Sequence, residues 1–148
     1  MIYKYSFSIT GDFFSPKGMI DTIEGDFLVK SIWESTDKKF NNSDEEYGYG
    51  GILFWHPNKF AIDDNVGEYE TWFVDFLEKN YASFIENKVD NFEIYLEIYY
   101  TGKECNIEVF NKELLKKIAP HNVSIPLSIY CLEKAYYNDW ITEIENSD

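Results

Sequence analysis

The sequence is poor in the residues from which metal and redox sites are built. It contains two cysteines, Cys105 and Cys131, and two histidines, His56 and His121, and none of them lies at a zinc-ligand spacing from another. Two distant cysteines also make no disulfide framework, so we interpret both as small core residues of a protein in a reducing compartment. We therefore expect no metal site.

Motifs for phosphate binding and nucleophilic catalysis are also missing. Gly48, Gly50 and Gly51 lie close together, but neither a lysine nor a helix pattern follows them, so they make no phosphate-binding loop. No serine has the glycine-flanked setting of a hydrolase nucleophile, and inward-pointing cysteines would react poorly. The sequence therefore predicts no catalytic residues, no cofactor and no enzyme.

Basic residues are few: 13 lysines and arginines stand against 27 aspartates and glutamates, for a net charge of −14. Such a charge repels nucleic acid and anionic membranes and attracts basic proteins. The alternative is that the acidic residues only keep the protein soluble. The sequence shows no basic start followed by an apolar run and no stretch apolar enough to span a membrane, so we expect a cytoplasmic protein.

The strongest pattern of the chain lies at residues 92–100, where apolar and polar side chains alternate. The apolar positions are Phe92, Ile94, Leu96, Ile98 and Tyr100, and those between them are Glu93, Tyr95, Glu97 and Tyr99. Because successive side chains of a strand point to opposite faces, this segment is predicted to bury one face and to expose an acidic, aromatic stripe. The stripe is a candidate contact for a protein partner, or an ordinary solvated face.

Residues 34–51 lose all periodicity and form the longest irregular segment. They contain Asp44, Glu45 and Glu46, followed by Tyr47 and Tyr49. A long loop within a compact domain is either functional or disordered, and both readings stay open here. In the first reading, these five residues are further candidates for partner contact.

The C-terminal segment, at about residues 133–146, is predicted to be an amphipathic helix. Its apolar residues Tyr137, Trp140, Ile141 and Ile144 follow the i, i+3, i+4, i+7 spacing of one helix face. A helix this short is marginal alone, so its apolar face must be buried, either against the rest of the chain or against a second copy in a homodimer.

The remaining patterns predict one domain over residues 1–148, the length of a typical single domain. The other predicted elements are strands at 3–9, 27–33, 52–56, 105–109 and 125–131, and helices at 15–23, 67–88 and 111–118. Ser15 and Asn111 are the predicted N-caps of the first and last of these helices, and residues 67–88 form either one long helix or two short ones. The strand at 105–109 would return as a hairpin after Gly102, and Pro126 would place the last strand at an edge. We expect an α+β fold with a single, largely antiparallel or mixed sheet, helices mainly on one face, and the C-terminal helix.

The order of these pieces resembles an uncharacterised bacterial family, a domain of unknown function. The resemblance rests on the opening Tyr5-x-Phe7-x-Ile9-x-Gly11-Asp12 and Ser15-Pro16, and on Leu53-x-Trp55, Leu114-Leu115 and Ile129-Tyr130-Cys131. It covers about residues 3 to 132, and it departs at residues 23–27, where Ile-Glu-Gly-Asp-Phe replaces the usual Leu-Gly-Ile-x-Pro.

Proteins of this kind include immunity proteins that neutralise toxins of contact-dependent growth inhibition. The resemblance implies an immunity protein whose partner is a cognate toxin, expected to be a basic nuclease, and it supplies no catalytic residues. The second hypothesis is a small-molecule or regulatory binding domain with a pocket between sheet and helices.

Overall fold

The computed structural model describes residues 1–145, apart from the side chains of residue 64 and residues 143–145. Its strands are β1 (Ile2–Gly11), β2 (Leu28–Trp33), β3 (Gly50–Trp55), β4 (Ala61–Ile62), β5 (Asn91–Tyr100), β6 (Val123–Ser124) and β7 (Leu127–Cys131). Its helices are α1 (Pro16–Met19), α2 (Val66–Glu86), α3 (Lys112–Ile118) and α4 (Lys134–Glu145). Short 3₁₀ turns cover Ile20–Thr22, Asp63–Asn65 and Ala119–His121.

The strands form one mixed sheet in the order β2-β3-β1-β5, with β6 and β7 following one another along the outer edge of β5. The pairs β2–β3, β3–β1, β4–β1 and β1–β5 are antiparallel, whereas β6 and β7 run parallel to β5. The predicted α+β class, mixed sheet and C-terminal helix are confirmed. The predicted edge position of the last strand also agrees with the sheet order.

One face of the sheet is covered by α2 and α3, and the core lies between this face and the two helices. The helix-covered face consists of the odd positions of β1 together with the even positions of β3 and β5. Its aromatic centre is built from Tyr5, Phe7, Phe54, Phe73, Phe76 and Phe84. These rings meet at tilted or edge-on angles, for example Phe7 with Phe76 at 6.0 Å and 87°, the geometry that aromatic pairs favour.

Helix α2 is a single 21-residue helix, although its sequence left open two shorter ones. Asn80, a poor helix former, is tolerated because its side chain is buried and fully used. Its Nδ2 donates to the carbonyls of Glu24 and Phe76, and its Oδ1 accepts from the Glu24 amide at 2.8 Å. This residue therefore fastens the loop after α1 to the helix.

Of the two predicted N-cap residues, one caps its helix and the other does not. Asn111 caps α3 as predicted, since its side chain accepts hydrogen bonds from Glu113 and Leu114 amides. Ser15 precedes α1 at the cap position but makes no capping bond, and its Oγ instead donates to Glu34.

The predicted return strand at residues 105–109 is wrong. Residues 101–110 form an irregular segment that leads from β5 to α3, with Ile107 and Val109 half-buried against the core. Because β6 and β7 occupy the outer edge of β5, this segment cannot pair with β5 as a hairpin would. The inward position predicted for both cysteines is also wrong, since Cys105 is only half-buried and Cys131 is exposed.

Within residues 1–145, no helix is long and apolar enough to cross a membrane.

Candidate functional site

The second face of the sheet, which we call the open face, has a floor of small side chains. β1 contributes Ser6, Ser8 and Thr10, the even positions that alternate with its core residues. On one side the register places Trp55 and Leu53 of β3 beside Ser6 and Ser8. Tyr95 and Glu93 of β5 lie beside the same serines on the other side. Because the central strand carries short side chains, the open face forms a trough between two rows of larger ones.

Trp33 closes one end of this trough. It is paired with Gly51, and a Cβ on Gly51 would lie 2.1 Å from the indole ring, so glycine is required for the ring to lie flat on β3. Tyr47 and Tyr49 pack on Trp33 with ring centroids 5.3 Å and 6.2 Å away. Trp33 at the end of β2 and the two tyrosines that precede β3 therefore form one aromatic corner.

This corner borders a cleft of about 460 Å³. The cleft is lined by Ser8, Thr10, Gly11, Asp12, Trp33, Tyr49, Asp90, Asn91 and Glu93. Its charged side chains are all carboxylates, and two of its walls are aromatic. Such a surface suits a cationic side chain, which aromatic faces and carboxylates both attract.

The predicted stripe of β5 lies on the open face, but its members are not equivalent. Glu93 lines the cleft, whereas Tyr95 shares a 2.7 Å hydrogen bond with Ser128 of β7. Glu97 accepts a hydrogen bond from Tyr99 and lies 3.4 Å from Lys4 Nζ. Glu97 is thus already compensated, and Glu93 is the carboxylate of the stripe that is placed to meet a ligand.

Tyr99 ends the stripe under the C-terminal helix. Its ring stacks on Tyr130 at 4.9 Å and meets Trp140 edge-on at 4.6 Å. Burial, and then the hydrogen bond to Glu97, raise the pKa of Tyr99. Trp140 also contacts Phe60 at 5.6 Å, so the helix packs against its own chain at this residue.

The other predicted residues of α4 are less well defined. Tyr137 and Ile141 are half-buried, and the side chain of Ile144 lies outside the described residues. Pairing of this helix with a second copy stays a prediction.

The segment of residues 34–49 is folded back on itself in a hairpin-like loop. Lys38 and Glu46 form an antiparallel bridge, and the Tyr47 amide donates to the Asp37 carbonyl at 3.0 Å. The acidic side chains are partly neutralised, because Glu45 pairs with Lys39 and Glu46 lies 3.5 Å from Lys38. The loop therefore contributes its tyrosines to the open face, while the carboxylates of Glu45 and Glu46 pair with neighbouring lysines and Asp44 accepts from Lys38 only through its backbone carbonyl.

Two lysines of the open face lie over the ring of one residue, Trp55. The Nζ atoms of Lys30 and Lys4 lie 4.9 Å and 5.7 Å from the ring centroid of Trp55. The open face is consequently acidic at the cleft and carries positive charge around Trp55, so it would favour one orientation of a charged partner.

Neither histidine is placed to act as a general base for the serines of the open face. His56 packs against Tyr69 and Trp72 of α2, where burial lowers its pKa to about 4, and His121 packs against Tyr81. The described residues also hold no cluster of three or more histidine, cysteine or acidic side chains that could bind a metal ion.

Sequence reasoning missed Trp33, Trp55, Asp12 and Asp90. The Gly50-Gly51 pair within a strand was a usable signal, because glycine in a strand often marks the close approach of a large side chain. Which side chain approaches depends on the β2–β3 register, and the sequence does not show it.

Comparison of the chain with protein-family models, curated proteins and solved structures finds no match. The family resemblance described above therefore stays a prediction.

Proposed function

We propose that this protein is an immunity protein that binds a cognate bacterial toxin domain through the open face and so neutralises it. The toxin is expected to be a basic protein, such as a nuclease, and the encounter to take place in the cytoplasm. The interaction requires no cofactor, nucleic acid or membrane.

One observation carries the proposal: the fold brings two separately predicted candidates together. Tyr49 of the 34–51 loop and Glu93 of β5 line one cleft beside Trp33. Interfaces are enriched in tyrosine and tryptophan, whose large rigid rings gain contact area at little entropic cost. The acidic cleft adds complementarity to a basic partner.

The net charge of −14 supports the same partner. Charges on two partners accelerate their encounter, and salt screens this steering over about 8 Å at physiological ionic strength. Association should therefore slow as salt is added. Stopped-flow rates that do not change with salt would contradict the role of charge.

The test uses the product of the gene immediately upstream, co-expressed and co-purified with this protein. Glu93→Lys in the cleft should weaken binding by about tenfold or more, because a buried carboxylate contact is replaced by repulsion. Glu86→Lys, an exposed position on α2, makes the same charge change away from the open face and is the control. Isothermal calorimetry measures both affinities.

Equal affinity of the Glu93→Lys and Glu86→Lys variants would reject the open face as the contact. Absence of any complex with the wild-type protein would reject the toxin partner proposed here.

A small-molecule binding domain is the second candidate, because the cleft of about 460 Å³ falls within the size range of ligand pockets. This cleft lies on the open face, whereas the sequence predicted a pocket between sheet and helices. A metabolite retained by the purified protein in native mass spectrometry, and lost in Glu93→Lys, would favour this function.

A further inference from the structure

Strand β7 forms an outer edge of the sheet, and its own outer edge has no partner among the described residues. It pairs with β5 alone, in a parallel register that sets Leu127 beside Leu96 and Cys131 beside Tyr100. An unpaired edge presents backbone amides and carbonyls that can accept another strand.

The hydrogen bonds at the two ends of β7 show which backbone groups are free. The Pro126 carbonyl accepts from the Leu96 amide, and the Leu132 amide donates to the Tyr100 carbonyl. Alternate residues of a parallel strand direct their amide and carbonyl to the same neighbour. Ser128 and Tyr130 therefore bond to β5, and Leu127, Ile129 and Cys131 direct theirs outward.

The same outward-bonding residues carry exposed side chains. Leu127 is 44% exposed and Ile129 46%, values that are high for apolar residues of a strand, and Cys131 is exposed as well. The five residues of β7 include no charged side chain and no proline. Neither charge nor chain geometry thus hinders the approach of a second strand.

The opposite edge of the sheet provides an internal comparison. Strand β2 interrupts its pairing with an irregularity between Val29 and Ser31 and carries the exposed Lys30. Bulges and lysines are common protections of edge strands against unwanted pairing. The protein protects β2 in this way and leaves β7 unprotected.

We propose that β7 pairs antiparallel with β7 of a second copy of this chain, joining two sheets into one across a two-fold axis at Ile129. In this register Ile129 faces its own copy and Leu127 faces Cys131. All three positions direct amides and carbonyls outward, so each facing pair exchanges two backbone hydrogen bonds.

The uncharged character of β7 favours a second copy over the basic partner of the open face. A basic protein is recognised by carboxylates, which lie at the cleft beside Glu93 and are absent from residues 127–131. A neutral, apolar strand pairs best with another neutral, apolar strand, and β7 of a second copy is such a strand. The open faces of the two copies stay free in this arrangement.

Sedimentation equilibrium of the full chain tests the dimer. Ile129→Lys would place two lysines directly opposite each other, which should raise the dimer dissociation constant at least about tenfold. Val29→Lys is the matched control, because Val29 is 42% exposed on the protected edge strand and the charge change is the same. That variant should dimerise like the wild type.

Hydrogen exchange on the wild-type protein gives an independent result, in case Ile129→Lys folds poorly. Raising the protein concentration should slow exchange at the amides of Leu127, Ile129 and Cys131 and leave those of Ser128 and Tyr130 unchanged. The proposal is overturned by a protein that stays monomeric at millimolar concentration. Unchanged dimerisation of Ile129→Lys, or slowed exchange without this alternation, would also overturn it.

Discussion

The carboxylate of Glu70 and the phenol of Tyr5 meet inside the core, where the tyrosine donates a 3.1 Å hydrogen bond to Glu70 Oε1. The second oxygen, Oε2, accepts from the Phe110 amide at 3.0 Å. Phe110 has a left-handed backbone with φ of 50°, at the end of the irregular segment that replaces the predicted return strand. Glu70 therefore links β1, α2 and this segment at one buried point.

Replacing Glu70 by alanine should destabilise the fold, because it leaves the Tyr5 hydroxyl and the Phe110 amide buried without partners. Each unsatisfied group costs about 1–3 kcal/mol, so we expect a loss of about 2–5 kcal/mol in the free energy of unfolding. Urea denaturation at pH 7 measures it. A loss below about 1 kcal/mol would mean that water reaches these groups.

The uncharged isostere Glu70→Gln is the control, and pH separates charge from shape. Burial raises the pKa of Glu70 in the folded protein above its value in the unfolded chain. The protonated side chain therefore contributes its full stabilisation below the unfolded-state pKa, and this contribution is lost as the pH rises through the folded-state pKa. The wild type should therefore lose stability relative to Glu70→Gln as the pH rises above about 4, the pKa of a glutamate in an unfolded chain. A difference between the two that does not vary with pH would contradict a raised pKa.

Trp140→Ala should lower the melting temperature, because its ring packs on Tyr99 and Phe60 of the same chain. The half-buried ring should contribute about 2 kcal/mol, less than a fully buried one, which corresponds to a shift of roughly 4–8 °C for a domain of this size. Tyr136→Ala, on the same helix but 68% exposed, is the control and should change little. Differential scanning calorimetry compares the two variants.

A second outcome of the Trp140 experiment concerns the predicted homodimer. If the helix paired with a second copy, Trp140→Ala would convert dimer to monomer in sedimentation, with little effect on the melting of the monomer. A dimer through β7 would instead persist in this variant.

The elements that could be predicted are those whose local pattern agrees with the final packing. The alternation of residues 92–100 became β5 because its apolar face meets the long helix α2. Asn111 capped α3 as expected, since a cap depends only on residues two and three positions away. In both cases the residues of the segment itself were sufficient to predict its structure.

The failures arise where several segments compete for one sheet edge. Residues 105–109 alternate as well as residues 127–131 do, yet only the latter pair with β5. Nothing local distinguishes the two, because the choice depends on the crossover through α3. The site depends on the same kind of information. Tyr49 and Glu93 were predicted separately, and their common cleft arises from the registers that join β2, β3, β1 and β5.

The close contact between Trp33 and Gly51 allows a direct test of the aromatic corner that Trp33 forms with Tyr47 and Tyr49. Gly51→Ala would place a methyl carbon 2.1 Å from the indole, so Trp33 must leave its position on β3 and its contacts with Tyr47 and Tyr49. Steric insertion of this kind costs about 1–3 kcal/mol. We expect reduced stability in urea and a red-shifted tryptophan emission as the ring enters solvent.

Gly67→Ala is the matched control for this substitution, because the added methyl in the first turn of α2 would meet nothing within 4 Å beyond its chain neighbours and the adjacent helix backbone. Alanine is favoured over glycine in a helix by up to about 1 kcal/mol, so this variant should be as stable as the wild type or more so. Binding of the upstream gene product should be weakened by Gly51→Ala and kept by Gly67→Ala. If Gly51→Ala changes neither emission nor binding, Trp33 does not form a wall of the cleft, and the aromatic corner is rejected as part of the binding site.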